Sequence, residues 1–154
     1  MMDATGPAVG VQLPPFSVPD DTEQQRTPDN LIGSRGLLLA FVHGTWCAPC
    51  VPTYYALAKY APVYIKEGVA VAVVSGDNPQ SLRNFRKTAP APLPYTLLAD
   101  ADEQVHELYQ TGTTRVWLLA DAGGVIRMKH LDPDGHNKPS HSMLLDAITT
   151  HLSA

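Results

Sequence analysis

Two thiols three positions apart, Cys47 and Cys50 in Trp46-Cys47-Ala48-Pro49-Cys50, are the residues of this chain best suited to chemistry, and they are the only cysteines among its 154 residues. Such a pair can close a small disulfide and reopen it. At the start of a helix, backbone N–H groups and the helix dipole favour a thiolate. Surroundings of that kind lower a cysteine pKa from about 8.5 into the range of roughly 3.5–7.5. Half of a zinc site and a buried inert pair are the alternatives. Zinc needs two more ligands, and the only close histidine pair, His136 and His141, begins 86 residues beyond Cys50. A redox dithiol ranks first.

The elements that must position the thiols are legible around them. Leu37 to His43 reads as an apolar strand leading into the motif, and residues 48–60 read as a helix, with Pro52 close enough to its start to cost one backbone bond or a mild kink. Val69 to Val74 is apolar on both faces, as a covered central strand is. Asn78 or Asp77 caps a helix that has Pro79 at its first position and runs to about Thr88. Tyr95–Leu98 reads as a short strand, and Asp100 or Asp102 caps a helix through Tyr109. Val116–Ala120, the turn Asp121-Ala122-Gly123-Gly124 and Val125–Lys129 form a hairpin signal. A last helix spans about 140–152, with Leu144, Leu145, Ile148 and Leu152 on one face. The order predicts an α/β fold: a parallel pair with crossover helices, expected to be right-handed, then an antiparallel hairpin and a covering helix.

Length and composition agree with a single domain large enough for a real core. Hydrophobic content is 44% and charged content 17%. A formal net charge of −4 argues against a polyanion-binding surface and hence against nucleic acid. Apolar runs around 37–42 and 69–74 are strand-sized, far below the ~20 residues that span a membrane. No basic n-region or apolar h-region opens the chain, so a cytoplasmic location is the expectation. Fourteen prolines cluster at 14–28 and 90–94, which read as surface loops. Residues 1–30 are expected to form an irregular extension packed on a domain of residues 31–154, with a short edge strand near Phe16-Ser17-Val18.

This layout, with Phe41-Val42-His43-Gly44-Thr45-Trp46-Cys47-Ala48-Pro49-Cys50 at its centre, resembles the thioredoxin-like superfamily over roughly residues 9–152. Within it the chain is most similar to the redoxin/AhpC-TSA branch, which includes TlpA/ResA-type thiol–disulfide oxidoreductases and peroxiredoxins. Gly10 to Val18 resembles the lead-in of these proteins, residues 95–109 their β-α insertion, and Gly112 to Ile126 their closing hairpin. The resemblance implies a thioredoxin-like fold with a central mixed sheet flanked by helices. It makes Cys47 the attacking thiolate and Cys50 the resolving thiol, with Trp46 at the rim and Pro49 tuning the potential. Two places depart from the family. Arg115, in Thr113-Thr114-Arg115-Val116-Trp117, holds the place of the usual cis-proline, as an arginine does in peroxiredoxins, and Phe41 holds the place of a buried acid. The peroxiredoxin pattern P-x-x-x-T/S-x-x-C is absent, since Gly44 stands three before Cys47 and Cys47 three before Cys50.

Arg115 is expected either to place a positive charge near Cys47, lowering its pKa, or to pair with an acid such as Asp100 or Asp121; Thr114 is counted with it as a supporting residue. His43 is either a proton acceptor at the strand end or a structural, hydrogen-bonded residue. Thr45 either caps the active-site helix or is a loop residue. Trp117 is expected to pack, and His130, His136 and His141 to be solvent-exposed. The leading function is thiol–disulfide exchange with protein or small-molecule disulfides. It requires no cofactor beyond an electron donor such as a thioredoxin or glutathione system. A thiol peroxidase, with Cys47 oxidised to a sulfenic acid and resolved by Cys50, comes second. A redox-sensing binding module is the reading from another class. Nothing in the residues decides the oligomeric state.

Overall fold

A computed structural model of the chain describes residues 5–134 and 137–152. Its centre is a five-stranded sheet in the order β5-β4-β3-β6-β7, formed by β3 (Gly36–Val42), β4 (Val69–Ser75), β5 (Thr96–Ala99), β6 (Arg115–Asp121) and β7 (Ile126–Asp132). β3, β4 and β5 run parallel, whereas β6 is antiparallel to both β3 and β7. This is the mixed α/β sheet that the element order predicts. All seven residues of β3 are buried, because the strand is covered on both faces. Leu38, Ala40 and Val42 face the core that holds Cys47, Cys50, Tyr54 and Leu57. Leu37, Leu39 and Phe41 face a second core with Val105 and Tyr109. Alternation along one strand thus feeds two layers.

The first of these cores is shared with α2 (Val51–Lys66) and α5 (His141–His151). α2 runs past the expected end at residue 60 and carries Pro62 inside it. Its buried face continues through Ala61 and Tyr64, so packing outweighs the hydrogen bond that proline removes. Pro52 falls in the first turn of α2, where backbone N–H groups have no helical partner in any case. α3 (Pro79–Thr88) is capped by Asn78, whose side chain accepts from the Ser81 N–H at 2.8 Å. α4 (Gln104–Leu108) is held by Asp100, whose carboxylate accepts from the N–H groups of Val105 and His106, both at 2.9 Å.

The lead-in is built onto the second core. Leu13, Phe16, Val18 and Leu31 are buried there. β1 (Val18–Pro19) and β2 (Gln25–Arg26) pair as a small ribbon, so the strand expected near Phe16 begins two residues later. A short α1 (Pro28–Leu31) follows. The Asp121–Gly124 turn is as expected: Asp121 Oδ1 accepts from the Gly123 and Val125 N–H groups, and Gly124 takes the positive φ of 84° that suits glycine. No helix among the described residues is long and apolar enough to cross a membrane.

Candidate active site

β3 ends at Val42, and the chain turns through His43-Gly44-Thr45-Trp46 into a 3-10 turn, Ala48–Cys50, that runs into α2. Both cysteines are free thiols, with their Sγ atoms 2.8 Å apart. Cys47 keeps 7% of its surface exposed and Cys50 keeps none. Only Cys47 is reachable. Ala48, Pro49 and Trp46 form the exposed rim, with Trp46 at 70% exposure and its ring stacked on His43. With the indole in this place, a Cβ on Gly44 would collide with Trp46 Nε1. Threonine at that position, as in the peroxiredoxin pattern, would displace the rim.

His43 is drawn into the site. Its Nε2 lies 2.6 Å from the Thr113 carbonyl oxygen, which can only accept, so Nε2 carries the hydrogen in the neutral ring. That leaves the lone pair of Nδ1 facing Cys47 Sγ at 3.7 Å. The histidine is therefore hydrogen-bonded to the 111–114 loop on one side, as the structural alternative expects, and stands beside Cys47 on the other. Its own backbone N–H donates to Cys50 Sγ at 3.4 Å.

Arg115 reaches the dithiol by a different route from the one expected. Its Nη1 donates to the sulfur of the buried Cys50, at 3.9 Å, rather than resting against Cys47. Its acid is neither Asp100 nor Asp121 but Asp132, whose Oδ2 lies 3.6 Å from Nε across the β6–β7 pair. Asp100 is taken by His106 and by the start of α4, and Asp121 by Arg127. Arg115 Nε is buried and makes no hydrogen bond. The guanidinium is thus held by charge more than by directional bonds. Thr114 bonds neither sulfur; its N–H donates to the Thr111 carbonyl and it shapes the loop on which His43 leans. Phe41 packs against His106 and Tyr109, away from the sulfurs.

The predicted thiolate at Cys47 is not what the surroundings produce. Burial pushes the Cys47 thiol above its ordinary pKa, and the neighbouring Cys50 adds to the rise. The charge of Arg115 pulls the other way but is outweighed. The helix-start effect is present, since the Cys50 backbone N–H lowers the Cys47 pKa, but it is outweighed because the sulfur is tucked under the rim. Cys47 therefore gains from a base that removes its proton on attack, and His43 Nδ1 is the group placed to do so.

Sequence reasoning offered Asp77 only as an alternative helix cap and did not place it in the site. Its carboxylate accepts from the Thr45 N–H at 2.9 Å, the Thr45 hydroxyl at 2.7 Å and the Ser75 hydroxyl at 2.5 Å. Thr45 consequently anchors the loop to the end of β4 instead of capping the helix. Tyr54 OH bonds Ser75 at 2.6 Å, and Tyr95 OH donates to the Tyr54 carbonyl at 2.7 Å, extending the anchor into α2. The available signal was Ser75-Gly76-Asp77 at the carboxyl end of a parallel strand, where sites of open α/β sheets gather. Of the expected outlying residues, Trp117 is buried at 2% exposure. His130 and His141 are half-buried rather than solvent-exposed, His141 stacking on Tyr60 and bonding Tyr64 OH. His136 lies outside the described residues. Among the described residues, the histidine that joins the cysteines is His43.

A parallel β3–β4–β5 set, an antiparallel hairpin and a dithiol where β3 enters α2 define the thioredoxin-like class. The chain belongs to the AhpC/TSA family, whose sequence pattern matches residues 9–129. It is 28% identical over 126 residues to the thiol-disulfide oxidoreductase ResA of Geobacillus kaustophilus, covering 81% of this chain and 70% of that protein. Among solved structures, yeast mitochondrial 1-Cys peroxiredoxin superposes with a TM-score of 0.81 at 16% identity, over 92% of this chain and 75% of that one. A Chlorobium tepidum protein described as a thiol:disulfide interchange protein DsbE superposes with a TM-score of 0.74 at 22% identity, over 92% of this chain and 98% of the other. The structural likenesses establish the fold.

Proposed function

We propose that the protein is a thiol–disulfide oxidoreductase in which Cys47 attacks a substrate disulfide and Cys50 resolves the mixed disulfide. The observation that carries this reading is the asymmetry of two free thiols in contact, one at the rim and one sealed behind it. His43 Nδ1 takes the Cys47 proton as the sulfur attacks. One substrate sulfur leaves as a thiolate and the other is held as Cys47–S–S–R. Cys50 then loses its proton and attacks Cys47 Sγ, and the second substrate thiolate departs. The substrate disulfide gains two electrons and two protons, and the enzyme dithiol loses them. The Arg115 guanidinium and the His43 N–H, both directed at Cys50 Sγ, stabilise the charge that develops in this second step. Close spacing makes the step intramolecular. Substrates are disulfides of proteins or small molecules that fit beside Trp46 and Pro49, and the dithiol is regenerated, or in the reverse direction oxidised, by a thiol system of the thioredoxin or glutathione kind.

Peroxidase activity is the second reading, favoured by the buried Arg115 beside the dithiol. Gly44 and Cys47 weigh against it, since neither supplies the hydroxyl that would polarise a peroxide. The deciding experiment equilibrates the protein in glutathione buffers, tags free thiols for mass analysis, and follows insulin reduction and hydrogen peroxide consumption in parallel. A reversible two-electron transition with catalytic insulin reduction is expected, both lost in Cys47→Ser. Absence of an intramolecular Cys47–Cys50 disulfide overturns the proposal, and rapid peroxide consumption without insulin reduction transfers it to the peroxidase.

A further inference from the structure

A ring nitrogen of His43, Cys47 Sγ and Cys50 Sγ lie within 4.8 Å of one another, the one such donor group among the described residues. We propose that the reduced site binds a single soft monovalent cation, Cu(I), through these three atoms. The inference rests on the dithiol reading above, because only the reduced form offers two sulfur ligands.

The donor set comes first. Thiolate sulfur selects soft ions such as Cu(I), and two thiolates with an imidazole exclude the hard cations that require oxygen. Orientation comes second. Ligating histidines characteristically donate their other ring N–H to a carbonyl or carboxylate, which turns the free lone pair toward the metal. His43 already does this: its Nε2 is bonded to the Thr113 carbonyl at 2.6 Å and its Nδ1 faces Cys47 Sγ at 3.7 Å. The ring is preset for a ligand at Nδ1 in a way that a purely structural histidine need not be.

Coordination number favours one of the thiophilic ions. Zinc is four-coordinate, and with no fourth histidine, cysteine, aspartate or glutamate in this group among the described residues it would have to complete its shell with water, as in open sites of two cysteines and a histidine. Cu(I) is satisfied by a trigonal set. The sulfurs, now 2.8 Å apart, must open by about 1 Å to share a metal at bond lengths near 2.3 Å. Cys47 can take up that movement, because it borders the exposed turn of Trp46, Ala48 and Pro49, while Cys50 stays fixed by the His43 N–H and Arg115.

Binding displaces the two thiol protons and moves no electron: one neutral dithiol and one Cu(I) give a thiolate-bound ion and two protons. Affinity therefore rises with pH. Disulfide formation removes both sulfur ligands and expels the ion, so the two states of the site exclude one another and loading is controlled by oxidation.

The test titrates anaerobic, reduced protein into the Cu(I) complex of bathocuproine disulfonate and follows the loss of chelate absorbance. Transfer of one equivalent per chain is expected from reduced protein and none from the disulfide form. His43→Ala should weaken the site by at least about 10-fold, and His43→Asn, which can keep a bond to the Thr113 carbonyl, should do the same if the alanine variant loses its native circular dichroism. Copper transfer no greater than for the disulfide form, undiminished affinity in both folded His43 variants, or retention of Zn(II) against a chelator without uptake of Cu(I) would each overturn the inference. Glutathione-buffer titration of the same samples separates the two claims. A working disulfide couple without copper removes this inference alone, whereas one bound copper without a reversible disulfide removes the proposed activity and leaves the metal site.

Discussion

Replacing Arg115 together with its partner, as Arg115→Met/Asp132→Asn, should make the Cys47–Cys50 couple more reducing without unfolding the protein. A unit charge 3.9 Å from a sulfur interacts with a thiolate by about 4 kcal/mol at an effective dielectric constant near 20. Asp132, 3.6 Å from the same guanidinium, cancels part of that field, and an allowance of roughly one half leaves about 2 kcal/mol. For a two-electron couple this corresponds to roughly 40 mV. The sign follows from which state is charged: the arginine favours the thiolate of the reduced protein and so raises the potential, and removing it lowers the potential. The effect should be larger at pH 9 than at pH 7, because the charge acts on a thiolate, and burial pushes the Cys47 thiol, which the Arg115 charge also reaches, above its ordinary pKa. Mass-tagged thiol titration in glutathione buffers at both pH values reads the shift. Urea unfolding provides the companion measurement. Arg115→Met alone removes the cation beside a carboxylate that is 1% exposed, at a cost of about 3 kcal/mol, and Asp132→Asn should recover most of it. A potential unchanged at both pH values in a double variant of native stability would refute the electrostatic reasoning.

Asp77→Ala removes the acceptor for the Thr45 N–H, the Thr45 hydroxyl and the Ser75 hydroxyl. It should cost about 2 kcal/mol in urea unfolding and speed iodoacetamide labelling of Cys47 as the rim loosens; unaltered labelling in the folded variant would show that the anchor does not govern access. Asp100 gives a pH signature. Burial raises its pKa, but hydrogen bonds from the His106 ring and from the N–H groups of Val105 and His106 outweigh this and hold it below the usual carboxylate range. Its stabilisation is thus fully present above the unfolded value near 3.9 and fades as pH falls through the lower folded value. Asp100→Asn should flatten the acid limb of the stability curve below about pH 4, and an identical acid limb in wild type and variant would count against the assignment.

Sequence periodicity and local chemistry were enough for every strand of the five-stranded sheet, for the dithiol and for the hairpin turn, because each depends on neighbours within a few residues. Seven consecutive buried positions in β3 and an Asp-x-x-Gly turn leave a local pattern that no distant contact has to complete. Helix ends were less legible: α2 passes through Pro62 because its buried face, not its propensity, sets its length. The charge state of Cys47 was misjudged for a similar reason. A motif predicts a helix terminus, but only packing determines whether the sulfur beside it is dry.

By itself the sequence singled out the two residues proposed to exchange electrons, since two cysteines three apart after an apolar strand have few other uses. It left open which neighbours serve them. Arg115 meets Cys50 across 65 residues of chain, His43 meets Thr113 across 70, and Thr45 meets Asp77 across 32. Those meetings follow from the register of β3 against β4 and β6, which brings the ends of three central strands together at one end of the sheet. Tertiary structure alone decided that Arg115 faces the sealed thiol of Cys50, that His43 presents Nδ1 to Cys47 at the rim, and that Asp77 holds the loop beside them. Strand pairing is a non-local interaction, and residues distant in the chain carry no mark of the partner they will face.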